Sequence, residues 1–239
     1  MDQCRRDSVI NHVPDTSVVP DFRRSAIAAA AGTSGPPIYE LVRRMLDSAG
    51  VGGAVIDFGA GTGSLTRALA ASGRFTSVTG LDALPRPASL DSSVAWLECD
   101  LNNDVSLPRS FDVVVCAEVI EHLENPRATF RSFAKVLLPG GTLVLTMPNQ
   151  ESLRAYAALL FGGHFASFRG NSYPAHITAL LRLDLERICA ETGFEAPAFS
   201  WSNIGGLPAR PRVTWQQLTA SLARGRLFSD NIGMITCRE

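Results

Sequence analysis

Residues 55–65, VIDFGAGTGSL, are the stretch that most constrains the fold: an apolar run ends in three glycines at alternate positions, Gly59, Gly61 and Gly63, and a helical segment, SLTRALAAS, follows. A glycine bend between a strand and a helix lets backbone N–H groups close on a ligand. After Gly50 the same rhythm continues, with apolar runs (AVIDF, SVTGLD, VAWLECD, FDVVVCAEV, GTLVLTMPN) alternating with helical stretches such as PRATFRSFAKVLL. Alternation of this kind implies parallel βαβ units, and the doubly apolar run 113–115 implies a sheet covered on both faces. The expected fold is therefore an α/β, doubly wound, Rossmann-like sheet over about residues 51–148. Before it, IYELVRRMLDSAG reads as a helix that begins near Pro36 and Pro37 and turns Ile38, Leu41, Val42, Met45 and Leu46 to one side.

The flanks are less regular. Residues 1–35 are turn-rich and read as an N-terminal extension, either a lid or a disordered segment. Residues 36–239 form the main domain, with substrate-side insertions at 150–180 and 203–229. Within this part, ITALLRLDLERICAETGF predicts an amphipathic helix closed by Gly193, with Leu181, Leu185, Ile188 and Cys189 inward. EAPAFSW and NIGMITC predict two final strands, and a helix is expected around WQQLTASLA.

Composition narrows the class of function. The 239 residues are 46% hydrophobic and 19% charged, with a net charge of −1, so nothing global attracts phosphate backbones, and nucleic acid is disfavoured as a partner. Five scattered cysteines without C-x-x-C spacing suggest neither a disulfide framework nor a thiolate zinc site, which fits a cytoplasmic protein. No apolar run approaches the roughly 18 residues that a membrane span needs.

The ligand of the glycine bend can be argued from charge. The dinucleotide fingerprint would place its third glycine at Ser64 and would set a pyrophosphate beside Asp57, like charge against like charge. A ligand with ammonium and sulfonium groups makes the same carboxylate attractive, and S-adenosylmethionine is such a ligand. Asp82, in TGLDA about 20 residues beyond the glycines, stands where an acid accepts ribose hydroxyls. Asp100, in WLECDLNN, stands where a carboxylate can take the adenine amino group.

Taken together, VIDFGAGTGSL, GLDA, ECDLNN, FDVVVCAEVIEHLENP and KVLLPGGTLVLTMPN resemble the successive motifs of the class I S-adenosylmethionine-dependent methyltransferases across roughly residues 54–149. Within that family the motifs are most similar to small-molecule O-methyltransferases of the ubiquinone-biosynthesis type. The resemblance implies a seven-stranded sheet, mostly parallel with an antiparallel last strand. It also implies cofactor contacts at Asp57, Gly59, Ala60, Gly61, Asp82, Ala83, Asp100, Leu101 and Ala117.

Methyl transfer from a sulfonium is an in-line displacement by an already activated donor, so the enzyme mainly aligns the groups and excludes water. A hydroxyl acceptor is helped by a base or a metal that removes its proton. Glu118, Glu121 and His122 follow the fourth strand, and His176 precedes a later helix. Glu118, His122 and His176 are the catalytic candidates, and His176 is equally a metal-free base. All four residues resemble the magnesium site of small-RNA terminal 2′-O-methyltransferases, which implies Mg2+ or another divalent cation as a second cofactor. Metal-free relatives carry the same Glu-His-Leu string, in which the histidine only packs. Acceptor selection is expected in residues 151–175, with Tyr156, Phe161, Phe165, Phe168 and Tyr173 as an apolar wall and Arg154 and Arg169 reaching an anionic group.

The expected activity is methyl transfer to a hydroxyl of a small metabolite (a sugar, a quinone-like compound or a secondary metabolite). The alternatives are RNA 2′-O-methylation, small-molecule N-methylation, or a non-catalytic S-adenosylmethionine-binding partner protein. Oligomeric state is not legible.

Overall fold

The computed structural model describes residues 21–239 apart from 31, 104, 106 and 108–110. The first twenty residues of the N-terminal extension, with Cys4 and His12, lie outside the described residues. In chain order the elements are α1 (Asp21–Ala29), α2 (Pro36–Ala49), β1 (Gly53–Phe58), α3 (Ser64–Ala71), β2 (Phe75–Asp82), β3 (Ala95–Glu98), β4 (Phe111–Ala117) and α4 (Pro126–Val136), then β5 (Leu137–Pro148), α5 (Leu153–Gly162), α6 (Arg182–Thr192), β6 (Ala198–Trp201), α7 (Trp215–Leu218) and β7 (Asn231–Cys237).

The strands form one seven-stranded sheet in the order β3-β2-β1-β4-β5-β7-β6. β1 pairs in parallel with both β2 and β4, and β7 runs antiparallel between β5 and β6, as the sequence led us to expect. Residues alternate between faces along each strand. Val55, Val113, Val115 and Val144 pack under α2 and α3 on one face. Ile56, Val114, Cys116 and Leu145 pack under α4 and α6 on the other, where Phe130 and Phe133 are fully buried.

Helix boundaries follow local chemistry. Asn125 caps α4 by accepting the Ala128 N–H (3.0 Å), with Pro126 preset at the first position. Gly50 closes α2 in the left-handed region, at φ 63°.

Three sequence expectations need correction. α6 starts at Arg182, about a turn later than the periodicity suggested, because Asp184 Oδ2 accepts the Leu181 N–H (2.9 Å) and fixes the start there; Leu181 is 40% exposed. α7 is only four residues long, and the chain leaves it through Ala220 and Ser221 at φ 47° and 65°. Part of the turn-rich extension is helical, as α1.

Candidate active site

The chain order sends β1 onward to β2 on one side and, later, to β4 on the other. The carboxyl ends of these strands therefore flank the switch point where doubly wound sheets bind ligands. A cavity of about 500 Å3 opens there, and all nine candidate cofactor residues line it together with Glu118, Glu121, His122 and His176.

Asp57 sits near the end of β1 and is 1% exposed. The Thr66 hydroxyl donates to its Oδ2 (2.6 Å), but burial dominates and pushes the carboxyl up to about 7, with the Asp82 charge adding to the rise. Asp82 ends β2. Its Oδ2 accepts the Gly61 N–H (2.7 Å) and its Oδ1 the Leu84 N–H (2.8 Å), so it ties the glycine bend to the neighbouring strand as well as facing the cavity. Burial raises its pKa against those amides.

The glycines have a packing reason that the sequence did not reveal. A Cβ on Gly59 would lie 2.3 Å from Val119 Cγ2, one on Gly61 2.1 Å from the Gly32 carbonyl oxygen, and one on Gly63 2.4 Å from Leu90 Cδ1; all three φ values are positive. At Gly61, then, a side chain meets residue 32 of this chain before it meets any ligand. Residues 32 and 33 lie across the bend: the Thr62 N–H donates to the Gly32 carbonyl (2.8 Å), and the Thr33 and Thr62 hydroxyls are 2.8 Å apart.

Asp100, two residues beyond β3, is 5% exposed; its Oδ1 accepts the Asn102 N–H (3.0 Å) and its Oδ2 accepts from Arg23 on α1 (2.8 Å). Arg23 is a cavity residue that sequence reasoning missed, because its partners lie 77 and 101 positions away. Phe22 and Glu124, whose partners Tyr173 and Arg23 are as remote, were missed for the same reason, and Ile38 and Tyr39 also line the cavity.

On the far side of the switch point, Glu118 takes φ 56°, an uncommon conformation for a residue with a side chain. The chain then returns from a distance. The N–H groups of Ile177 and Thr178 both donate to the Glu121 carbonyl (3.0 Å each), and the Thr178 hydroxyl donates to the Leu123 carbonyl (2.5 Å). These bonds set the His176 ring against His122, with centroids 4.9 Å apart. His122 Nδ1 lies 2.8 Å from the Ala175 carbonyl, so Nδ1 carries the proton and Nε2 keeps its lone pair. Burial lowers the pKa of both rings, and for His176 a charge on His122 lowers it further, so both are neutral at pH 7.

Single ligand atoms of Glu121, His122 and His176 all lie within 4.8 Å of one another. Both Glu121 carboxylate oxygens and His176 Nδ1 are buried without a hydrogen-bond partner. Burial, then the Glu118 charge, pushes the Glu121 carboxyl well up. Glu118 falls outside this triad: Asn231 Nδ2 donates to its Oε2 (2.8 Å) while Oε1 stays unpartnered, and burial pushes its carboxyl up to about 7.

The expected aromatic wall is not there. None of Tyr156, Phe161, Phe165, Phe168 and Tyr173 lines the cavity; Tyr156, Phe161 and Tyr173 face outward. Phe168 instead packs on His176 (5.4 Å) and Tyr173 on Phe22 (5.8 Å). Arg154 is paired with Asp230 (2.7 Å) and Arg169 is exposed, so neither reaches the cavity. From this segment the lining comes from Asn171, Ser172 and Ala175, followed just beyond it by His176 and Ile177.

A seven-stranded sheet of this order, with a glycine bend after β1 and acids at the tips of β1 and β2 and just past β3, defines the class I methyltransferase architecture. Consistent with this, residues 29–197 match the methyltransferase domain family, and the chain belongs to that family.

A ubiquinone biosynthesis O-methyltransferase of Xanthomonas euvesicatoria pv. vesicatoria (strain 85-10) is 30% identical over 201 residues, covering 75% of this chain and 80% of that protein. Another, from Xanthomonas campestris pv. campestris (strain B100), is 36% identical over 123 residues, 48% of this chain and 50% of that protein. In such matches the chain spans about half the length of the curated relative.

Solved structures share the fold. A Haloferax volcanii methyltransferase in complex with the Trm112 methyltransferase activator superposes with TM-score 0.63 at 16% identity, covering 93% of this chain and 99% of that one. The Burkholderia thailandensis 1,6-didemethyltoxoflavin-N1-methyltransferase, with bound 1,6-didemethyltoxoflavin and S-adenosylhomocysteine, gives 0.60 at 12% identity, covering 94% of this chain and 93% of that one. No helix among the described residues is long and apolar enough to cross a membrane.

Proposed function

We propose that this chain transfers a methyl group from S-adenosylmethionine to a hydroxyl of a small, quinone-like or other secondary metabolite. One observation carries the reading: a single cavity joins the acid-tipped ends of β1 and β2 and Asp100 to the Glu118, Glu121, His122 and His176 cluster, so donor and acceptor share one space.

When bound, the cofactor supplies an activated methyl on a sulfonium. Its cationic head suits Asp57, its ribose hydroxyls suit Asp82, and its adenine amino group suits Asp100. The chain's own residues then do the rest. His122, held through Nδ1 by the Ala175 carbonyl, packs against and orients His176. His176, neutral at pH 7, would accept the proton of the acceptor hydroxyl as its oxygen displaces the thioether, the methyl carbon–sulfur bond breaking as the carbon–oxygen bond forms. The surrounding apolar lining, including Ile38, Leu123 and Ile177, excludes water from the transfer.

A second reading is favoured by the unpartnered oxygens of Glu121. Buried carboxylates without partners are costly, and a divalent cation held by Glu121, His122 and His176, with Glu118 alongside, would satisfy them. Such an ion supplies acidity to a coordinated hydroxyl.

The test is incubation of the purified chain with methyl-labelled donor and a panel of hydroxyl- and amine-bearing metabolites, with and without a chelator. Label on hydroxyl acceptors is expected. Label on amines alone would overturn hydroxyl transfer. Loss of label in chelator selects the cation, and full label in chelator selects His176 as the base.

A further inference from the structure

We propose that Arg23 is a latch residue: its guanidinium, shared between Asp100 and Glu124, fastens α1 over the cavity beside Asp100 and so sets how fast the cofactor and its demethylated product exchange. This inference rests on reading the cavity as the cofactor site.

All three guanidinium nitrogens are engaged. NH1 donates to Asp100 Oδ2 (2.8 Å), while Nε and NH2 donate to the two oxygens of Glu124 (2.9 Å each). Bidentate pairing of this kind is strong and directional. Asp100 is fixed independently of α1 by the Asn102 N–H, and the Asn102 side chain in turn accepts the Glu124 N–H (2.8 Å). The latch therefore closes on a prebuilt acidic seat.

α1 itself is short and shallowly seated. It has nine residues, fewer than the roughly 12–15 that an isolated helix needs to persist in water. None of its described side chains is fully buried; Ala26 and Ile27 are half-buried. Ser25 makes a contact as well, the Phe22 ring packs on Tyr173 and, just downstream, Gly32 and Thr33 touch Thr62. A nine-residue helix with no fully buried side chain among those described opens at small cost compared with the sheet it covers.

The latch also borders the ligand. The carboxylate whose Oδ2 accepts from Arg23 is the one proposed to take the adenine amino group, and it has acceptor sites for both, so the clamp closes beside the bound adenosyl end, which enters or leaves only while α1 is lifted. The clamp is within reach of solvent, with Arg23 at 21% and Glu124 at 47% side-chain exposure, so salt should loosen it.

The experiment is stopped-flow association and dissociation of S-adenosylhomocysteine on the full chain, comparing the wild type with Glu124→Gln, Arg23→Gln and Arg23→Lys. Glu124→Gln cuts one arm of the clamp on the surface and leaves Asp100 untouched. Both rate constants should rise together by about tenfold in Glu124→Gln and Arg23→Gln, with Kd changing less than about threefold, and Arg23→Lys should fall between these and the wild type. In the wild type both rates should rise with ionic strength, and in Arg23→Gln that dependence should flatten. A merely structural arginine would weaken binding through dissociation alone, and unchanged association in Glu124→Gln overturns the latch. If the wild type binds no S-adenosylhomocysteine at all, it is the cofactor reading that fails.

Discussion

At the residue scale the acids of the cavity have two duties, and only one was legible in the sequence. Spacing alone pointed to Asp82 as a ribose acceptor. Its hydrogen bonds to the Gly61 and Leu84 amides are invisible without the fold, because they depend on β2 lying beside β1. Asp82→Ala therefore strands two amides, at roughly 1–3 kcal/mol each where buried. Urea denaturation should show a clear loss of stability alongside weaker cofactor binding by calorimetry. Asp82→Asn keeps an acceptor oxygen and should weaken binding with a smaller loss of stability, which separates the two duties.

Asp57 brings a pH dependence. Its carboxyl, at about 7 in the folded chain against about 4 when unfolded, holds its proton more tightly when folded. That contribution to stability is fully present below pH about 4 and is lost as pH rises through about 7. A cationic ligand needs the ionised form, so ligand binding should strengthen over the same window. The thermal shift produced by saturating S-adenosylmethionine should be larger at pH 8 than at pH 6; equal shifts would remove Asp57 from the ligand's environment.

At the scale of elements, legibility followed how local the cause of each element is. The strand–bend–helix of β1 and α3 was readable because glycine placement, apolar run and helix onset sit within 20 residues. So was α4, where Asn125 and Pro126 mark the start and Phe130 and Phe133 the buried face. Asn125→Ala should cost about 1 kcal/mol, and Phe133→Ala about 3–5 kcal/mol by opening a cavity under the sheet. Chemical denaturation of the two variants checks the ranking, and a milder effect for Phe133→Ala than for Asn125→Ala would contradict the packing described for this face.

By contrast, α1 gave no signal. Its apolar face is built mostly of alanines, too small to stand out in the sequence, and its docking runs through Arg23 to acids far along the chain. The acceptor side failed for a related reason: aromatic residues in 151–175 suggested a wall, but the bonds from Ile177 and Thr178 to Glu121 turn a different stretch of the loop toward the cavity.

At the scale of the whole molecule, the sheet order does the assembling. Because β1 lies between β2 and β4, residues from four separate stretches (57–61, 82–83, 100–102 and 117–122) meet at one edge, and the return of the chain at 175–177 closes the far side. The central claim is that this one cavity holds the methyl donor beside the Glu118, Glu121, His122 and His176 cluster. Crystallisation of the full chain with S-adenosylhomocysteine tests it most directly. The expected density lies against Asp57, Asp82 and Asp100 with the sulfur facing His122 and His176; a ligand bound elsewhere, or an empty cavity at saturating ligand, would contradict it.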